Sequence, residues 1–401
     1  MEGLVEKKIY SSIFSNPVFV YSAIWIVALV LFPLVEFSFL VDSNPTINGL
    51  IVASIISFLF IYLFLKNLLG SDKNTTISGF EISFDSNLRF YLNFLFFLWL
   101  LLFLLTCIIQ GGFPLLWLFS GSGKTYADFG LPILGGFNNM IRNFLGAGFF
   151  FMYLMTKNKR YLIYVLILTT LIFCELSRGA LMVFLAHLLG IYLLIERQKL
   201  KILVRMVLFF LGLSGIFTIL AFVRGAGSDY TDFLLEGAVG YSFFTWPLIY
   251  FLSPLNNLYG NFENLSPGYY PNNVLEFVIP NKLSQLLIDK DIASNDSSNL
   301  LNEALNTYPY FYPLISDFGI LLAFIIILLM QIFISYVYLK ALRGHLGSIL
   351  MYPPLFMCLA LSFFHPYPIE LVVIFYPMLV LGLYVKNFRL GISTGLRKLE
   401  L

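Results

Sequence analysis

The chain has 401 residues, 24 Lys and Arg against 22 Asp and Glu, and a formal net charge of +2. Hydrophobic residues make up 59%, charged residues 11%, and the mean hydropathy is +0.86, which excludes a water-soluble globule, where about a quarter of residues carry charge. The 44 Phe and 24 Tyr exclude disorder and the near-neutral balance excludes a basic nucleic-acid binder, which leaves an all-α, polytopic membrane protein.

Lys7 and Lys8 precede an apolar run, 18–41, that is longer than a signal-peptide core and has no cleavage site, so it predicts a first spanning helix. A bilayer core takes about 20 apolar residues per helix. By that measure ten spans are predicted: 18–41, 47–65, 90–110, 140–156, 161–176, 180–195, 202–223, 314–339, 349–364 and 371–385. The fifth, sixth, ninth and tenth are short and must extend into their flanks or be shielded by other helices. The run 113–119 (FPLLWLF) is too short to cross.

Charge sets the orientation. Loops on one side carry Lys7, Lys8, Lys66, Lys73, Arg89, Lys157, Lys159, Arg160, Arg197, Lys199, Lys201, Arg205, Lys340, Arg343, Lys386, Arg389, Arg397 and Lys398, which is 18 of the 24 basic residues. That side is cytoplasmic by the positive-inside rule, and both termini lie on it. The segment 233–252 is nearly long enough to cross, but a crossing there would move Lys340, Arg343 and the basic C-terminus outside; it is therefore read as interfacial or re-entrant, anchored by Trp246 and neighbouring rings. The chain thus divides into seven helices in 1–223, one large external loop in 224–313, and three helices with a cytoplasmic tail in 314–401. The loop holds nine acids against three bases and is rich in Asn, Pro, Tyr and Ser, and 282–291 and 298–306 are candidates for short helices within it. A loop of this length is usually functional.

On the sparsely basic outer face, the arginines are the informative residues: Arg142 (NNMIRNFLG), Arg178 (CELSRGALM) and Arg224 (AFVRGAG). Full-length fifth and sixth spans pull Glu175 and Arg178 to membrane depth, where an unpaired arginine costs roughly 2.5–3.5 kcal/mol on insertion scales. One reading has the three guanidiniums converge on an external cavity that binds an anion, because their fork grips phosphate oxygens bidentately at any working pH. The other has them snorkel to head groups, or has Glu175 pair locally with Arg178. His365 (SFFHPYPIELVV), at the outer turn between the last two spans, is of the side-chain type suited to proton transfer, with the turn-stabilising role as its alternative. Glu175 and Glu370 are further candidates for the base. Asp317 (LISDFGILL) is read as a helix-capping carboxylate. Glu36 is placed facing other helices or the outer interface. Tyr308, Tyr310 and Tyr312 either stack on sugar rings or form an interfacial belt. His187 and His345 are assigned to packing and surface roles, and Cys107, Cys174 and Cys358 to the core, without disulfides. No metal-ligand spacing occurs, so no metal and no cofactor is predicted. The string GSGK at 121–124 lacks P-loop spacing, the sequon Asn295-Asp296-Ser297 is of a kind common by chance, and an activated lipid is a better donor than a cytosolic nucleotide.

Four features carry a family resemblance: the SRGA turn at 177–180, VRGAG after the seventh span, the large external loop before a late span, and PLISDFGILLAF at 313–324. In these the chain resembles the bacterial O-antigen polymerases, the Wzy-type oligosaccharide repeat-unit polymerases, with a topology that matches along nearly the whole length. The resemblance implies a C-type membrane glycosyltransferase of the inner (cytoplasmic) membrane, acting at its periplasmic face on undecaprenyl diphosphate-linked repeat units. It would move the growing glycan onto the non-reducing end of a new lipid-linked unit. Arg142, Arg178 and Arg224 would hold the diphosphate, His365 or Glu175 would act on the acceptor hydroxyl, and Tyr308 and Tyr310 would hold glycan. The partners implied are undecaprenyl diphosphate-linked oligosaccharides and membrane lipid, with room for a chain-length regulator protein and none for nucleic acid. Two rivals stay open: an O-antigen ligase, which uses the same donor, and a lipid-linked oligosaccharide flippase or transporter.

Overall fold

The apolar runs fold as helices because lipid leaves the backbone no other partner for its N–H and C=O groups. The computed structural model describes residues 12–35, 37, 40–69, 82–125, 128–131, 134–196, 201, 204–205, 212, 215, 245–265, 267–279 and 307–384. Among the described residues the regular structure is entirely helical. In chain order the α-helices are α1 Pro17–Leu31, α2 Pro45–Leu69, α3 Ile82–Gln110, α4 Pro114–Ser120, α5 Leu134–Thr156, α6 Lys159–Cys174, α7 Arg178–Ile195, α8 Thr245–Asn261, α9 Asn272–Val278, α10 Phe311–Leu342, α11 Leu346–Ala360, α12 Leu371–Ile374 and α13 Tyr376–Gly382.

Among the described residues four stretches are long and apolar enough to cross a membrane: Pro45–Leu69, Asn87–Ser120, Arg178–Ile195 and Phe311–Leu342. Their outward faces agree with that reading. Phe60, Phe64, Phe97, Ile108 and Leu321 stand exposed on α2, α3 and α10, apolar surface that water penalises and lipid does not. The first predicted span is shorter than expected: α1 has 15 residues and ends at Leu31, not at Val41. At about 1.5 Å per residue it falls short of a core of about 30 Å. The last predicted span is broken. α12 and α13 are separated at Phe375, and Pro377 follows at the start of α13, where a missing N–H is tolerated. Most of the seventh span, Glu36, and both helix candidates at 282–291 and 298–306 lie outside the described residues.

Local chemistry sets the helix boundaries. The Asn16 side chain accepts from Val18 N–H at 2.9 Å and Pro17 opens α1. The Asn158 side chain does the same for Arg160 N–H at 3.0 Å and starts α6. Between α6 and α7 the chain reverses in three residues: Glu175 caps one helix, Leu176 adopts φ 54°, and Ser177 caps the next. Small residues then let helices close on one another. A Cβ at Gly148 would lie 2.6 Å from Leu92 of α3, one at Gly190 of α7 would lie 3.1 Å from Phe356 of α11, and Gly146 of α5 is sealed by the Phe184 ring.

Hydroxyls thread the core between α1, α2, α10 and α11. Tyr310 and Tyr21 share a hydrogen bond of 2.6 Å, Tyr21 and Ser54 one of 2.7 Å, and Ser54 donates to the Ile51 carbonyl at 2.7 Å. One turn deeper, Gln331 donates to the Ser54 carbonyl at 2.8 Å and accepts from Ser57 at 3.0 Å. Trp25 donates to Ser362 at 3.0 Å. A cavity of about 20 Å³, room for a single water, lies beside this thread against Tyr21, Tyr310, Gln331 and Ser362.

Candidate functional site

The termini of several helices meet at one rim. α7 and α11 run antiparallel: Met182 and Val183, near the start of α7, pack on the same buried cluster (Ala186, Met357, Cys358, Leu361) as Phe363 and Phe364, just past the end of α11, whereas Gly190 faces Phe356 inside it. The α6–α7 turn and the 365–370 turn therefore share one end of the bundle, and the Arg142–Glu175 pair brings the N-terminal part of α5 to it.

Arg142 and Glu175 pair there, although the buried Arg142 Nε–H has no hydrogen-bond acceptor among the described residues. Arg142 projects from the third turn of α5 and its Nη1 donates to both Glu175 oxygens, at 2.6 and 2.8 Å. The side chains are 1% and 8% exposed, so this is a buried ion pair, and it ties α5 to the α6–α7 turn. The local Glu175–Arg178 pair considered from the sequence is replaced by this longer-range one. The pairing bears on two of the expected roles. A guanidinium already neutralised by a buried carboxylate contributes little net charge to a diphosphate, and a carboxylate holding that guanidinium is poorly placed to take a proton from a sugar hydroxyl.

Arg178 lies at the first position of α7, on the rim. Its guanidinium carbon sits 5.3 Å from the centre of the Tyr250 ring, a cation–π arrangement that orients the fork. Tyr250 belongs to α8, and its ring lies 6.2 Å from that of Phe364, the residue before His365. His365 Nε2 is 2.7 Å from Glu370 Oε1, and its ring is 4.8 Å from Tyr367. Burial, with the Glu370 carboxylate second, pushes the Tyr367 hydroxyl well above its ordinary range and keeps it neutral. Arg178 and His365 are thus linked through two aromatic rings. His365 and Glu370 retain 28% and 25% of their side-chain exposure, which suits groups that meet a ligand arriving at the rim.

α8 was not legible as such. The sequence predicts an interfacial piece at 233–252; the described helix begins at Thr245, runs through Pro254 to Asn261, and is held by polar side chains. Asn256 Oδ1 accepts from Val41 N–H at 2.7 Å, and Asn257 Nδ2 donates to the Thr307 carbonyl at 2.9 Å. The Trp246 side chain lies outside the described residues. Tyr250 was passed over because its aromatic neighbourhood reads as a membrane anchor; the signal was its place beside the external loop rather than any motif.

The tyrosine run divides. Tyr310, one of the two expected glycan contacts, is 5% exposed, bonds to Tyr21 and packs on Trp25, which places its ring in the core. Tyr308 stacks on Tyr312 with ring centroids 3.9 Å apart, one turn of chain later. Asp317 caps a helix, but not the one predicted: its carboxylate receives the N–H groups of Asn273 and Val274 at the start of α9. His187 is buried with Nδ1 donating to the Val183 carbonyl at 2.8 Å, and Cys358 is buried, while Cys107 and Cys174 are half-buried and free. Arg224 lies outside the described residues. Among the described residues no three His, Cys, Asp or Glu side chains gather as metal ligands.

Compared with protein-family models, with curated proteins and with solved structures, the chain matches none.

Proposed function

We propose that the chain is an oligosaccharide repeat-unit polymerase, a ten-span membrane glycosyltransferase of the C type. It would sit in the bacterial inner membrane with both termini cytoplasmic and its site on the periplasmic face. The donor is a glycan on undecaprenyl diphosphate and the acceptor a second lipid-linked unit. The observation that carries the reading is the gathering of Arg178, Tyr250, His365 and Glu370 on one rim of an apolar bundle. A guanidinium and an oriented imidazole at a membrane surface match the two charges such a transfer develops.

Transfer breaks the anomeric C–O bond, and the electron pair leaves on the diphosphate. Arg178, with Arg224, is assigned that developing charge, which a water-poor rim makes more costly to leave unpaired. The acceptor hydroxyl oxygen forms the new bond to the anomeric carbon and loses its proton. With its Nε2–H directed at Glu370, neutral His365 carries its lone pair on Nδ1, the atom assigned that proton; Glu370 then fixes the ring and stabilises the imidazolium. The Arg142–Glu175 pair takes a positioning role, holding the turn that presents Arg178.

The glycan profile of a deletion strain tests this reading. Loss of every chain longer than one repeat unit, with single units still attached to core, is the expected result. Loss of all attached units would replace it with the ligase or flippase reading. An unchanged ladder would end it.

A further inference from the structure

Helix α9 starts with two backbone donors that its own turn cannot satisfy, since the first N–H groups of any helix lack an intrahelical acceptor. Here the acceptor comes from 43 and 44 residues away. Asp317 Oδ1 takes Asn273 N–H at 3.0 Å and Oδ2 takes Val274 N–H at 2.7 Å, and the Asn273 side-chain amide donates to Asp317 Oδ1 at 2.7 Å and to Ser316 Oγ at 3.0 Å. Asp317 is 2% exposed, so these bonds form away from competing water. Two residues on, α10 breaks: Gly319 adopts φ 72° and ψ 171°. The Pro267 ring closes on that break, 3.4 Å from where a Gly319 Cβ would stand. The other sides of α9 pack against the Tyr367–Ile369 turn and α12.

We propose that Asp317 is a latch: it fixes α9, a piece of the external segment, against the break in α10 and thereby seats it on the turn that carries His365 and Glu370. Asp317 is then a positioning residue for that turn. Its effect on catalysis rests on the function proposed above; the latch itself does not.

Hydrogen exchange on the full chain in lipid nanodiscs tests it by mass spectrometry, because the Asn273 and Val274 amides owe their protection to Asp317. In Asp317→Ala both amides should exchange at least about tenfold faster, and those of Ile369 and Glu370 in the adjoining turn should accelerate with them. Asp317→Asn, which keeps one acceptor oxygen, should release one of the two amides. Asn273→Ala, which leaves the carboxylate and both amides intact, should produce a smaller acceleration and decides the matter if the Asp317 variants do not fold. Wild-type protection at 273–274 in Asp317→Asn and Asn273→Ala would overturn the latch. Release there with an unchanged 365–370 turn would overturn the positioning role. Glycan ladders from the same variants report separately: an Asp317→Ala strain with normal ladders removes the catalytic consequence, and a wild-type chain that makes no polymer removes the proposed function, while the exchange result stands in either case.

Discussion

Breaking the Arg142–Glu175 pair separates a structural guanidinium from a substrate-binding one. Each partner is nearly inaccessible, and Arg142 meets both carboxylate oxygens through one nitrogen. Arg142→Met leaves a buried carboxylate without its countercharge, which costs about 3–5 kcal/mol. For a chain of this size that corresponds to a fall in melting temperature of about 4–6 °C. Glu175→Leu leaves the arginine stranded in the same way. The double variant Arg142→Met/Glu175→Leu strands nothing and should recover most of the loss, because replacing a buried pair with apolar groups is often neutral. The measurement is a thermal melt of the four proteins in one detergent, read as a double-mutant cycle. Additive losses, with the double variant least stable, would refute the ion-pair account. Activity in the double variant then assigns the role: polymer ladders of wild-type length make Arg142 a positioning residue, whereas their loss in a protein of restored stability returns it to the diphosphate.

Arg178→Lys should shorten ladders to one or two repeats while leaving the melt within about 1 kcal/mol, since an ammonium replaces neither the fork nor the stacking on Tyr250. In the same assay Tyr250→Phe should retain activity and Tyr250→Ala should lose it. Gly146→Ala drives a methyl into the Phe184 ring and should destabilise by about 1–3 kcal/mol, read as a lower melting temperature. On the loop before α5, the Thr125 backbone N–H, followed by its hydroxyl, holds the Asp128 carboxyl below its ordinary range. A depressed folded value means the turn's extra stability is complete above the unfolded carboxylate range and is lost as pH falls through the folded value. The Thr125 amide should therefore lose exchange protection on acidification in wild type and show no such dependence in Asp128→Asn.

Helix class, and the boundaries of α2, α7 and α10 to within four residues, were legible because a membrane imposes a long apolar run, and a run of that length has one backbone solution; α3 begins at Ile82, eight residues before the predicted 90. α1 and the last span were misjudged for the complementary reason: hydropathy counts Phe32 to Val41 and Phe375 as apolar without registering where Pro33 and Pro377 stop or restart a helix. The charged candidates were found because intramembrane charge is rare, yet pairing was not readable from spacing. Glu175 lies three residues from Arg178 and 33 from Arg142, and the fold chose the distant one because Leu176 and Ser177 turn the chain between the near pair. α9 and its bond to Asp317 were invisible for the same reason, since a carboxylate capping a helix 43 residues upstream leaves no local pattern. Tyr310 misled because alternating Tyr and Pro looks alike on a rim and in a core.

The hydroxyl thread from Tyr310 through Tyr21 to Ser54 bears on assembly. Between lipid-bathed helices, apolar surface packs almost as well one turn out of step, so greasy matching alone leaves the offset between neighbours undecided. Each shared proton along this thread closes only at one offset, much as the pins of a lock align for one key. A chain shifted by a turn would carry several stranded hydroxyls into the bilayer interior, and that penalty makes the assembled order of these helices unique.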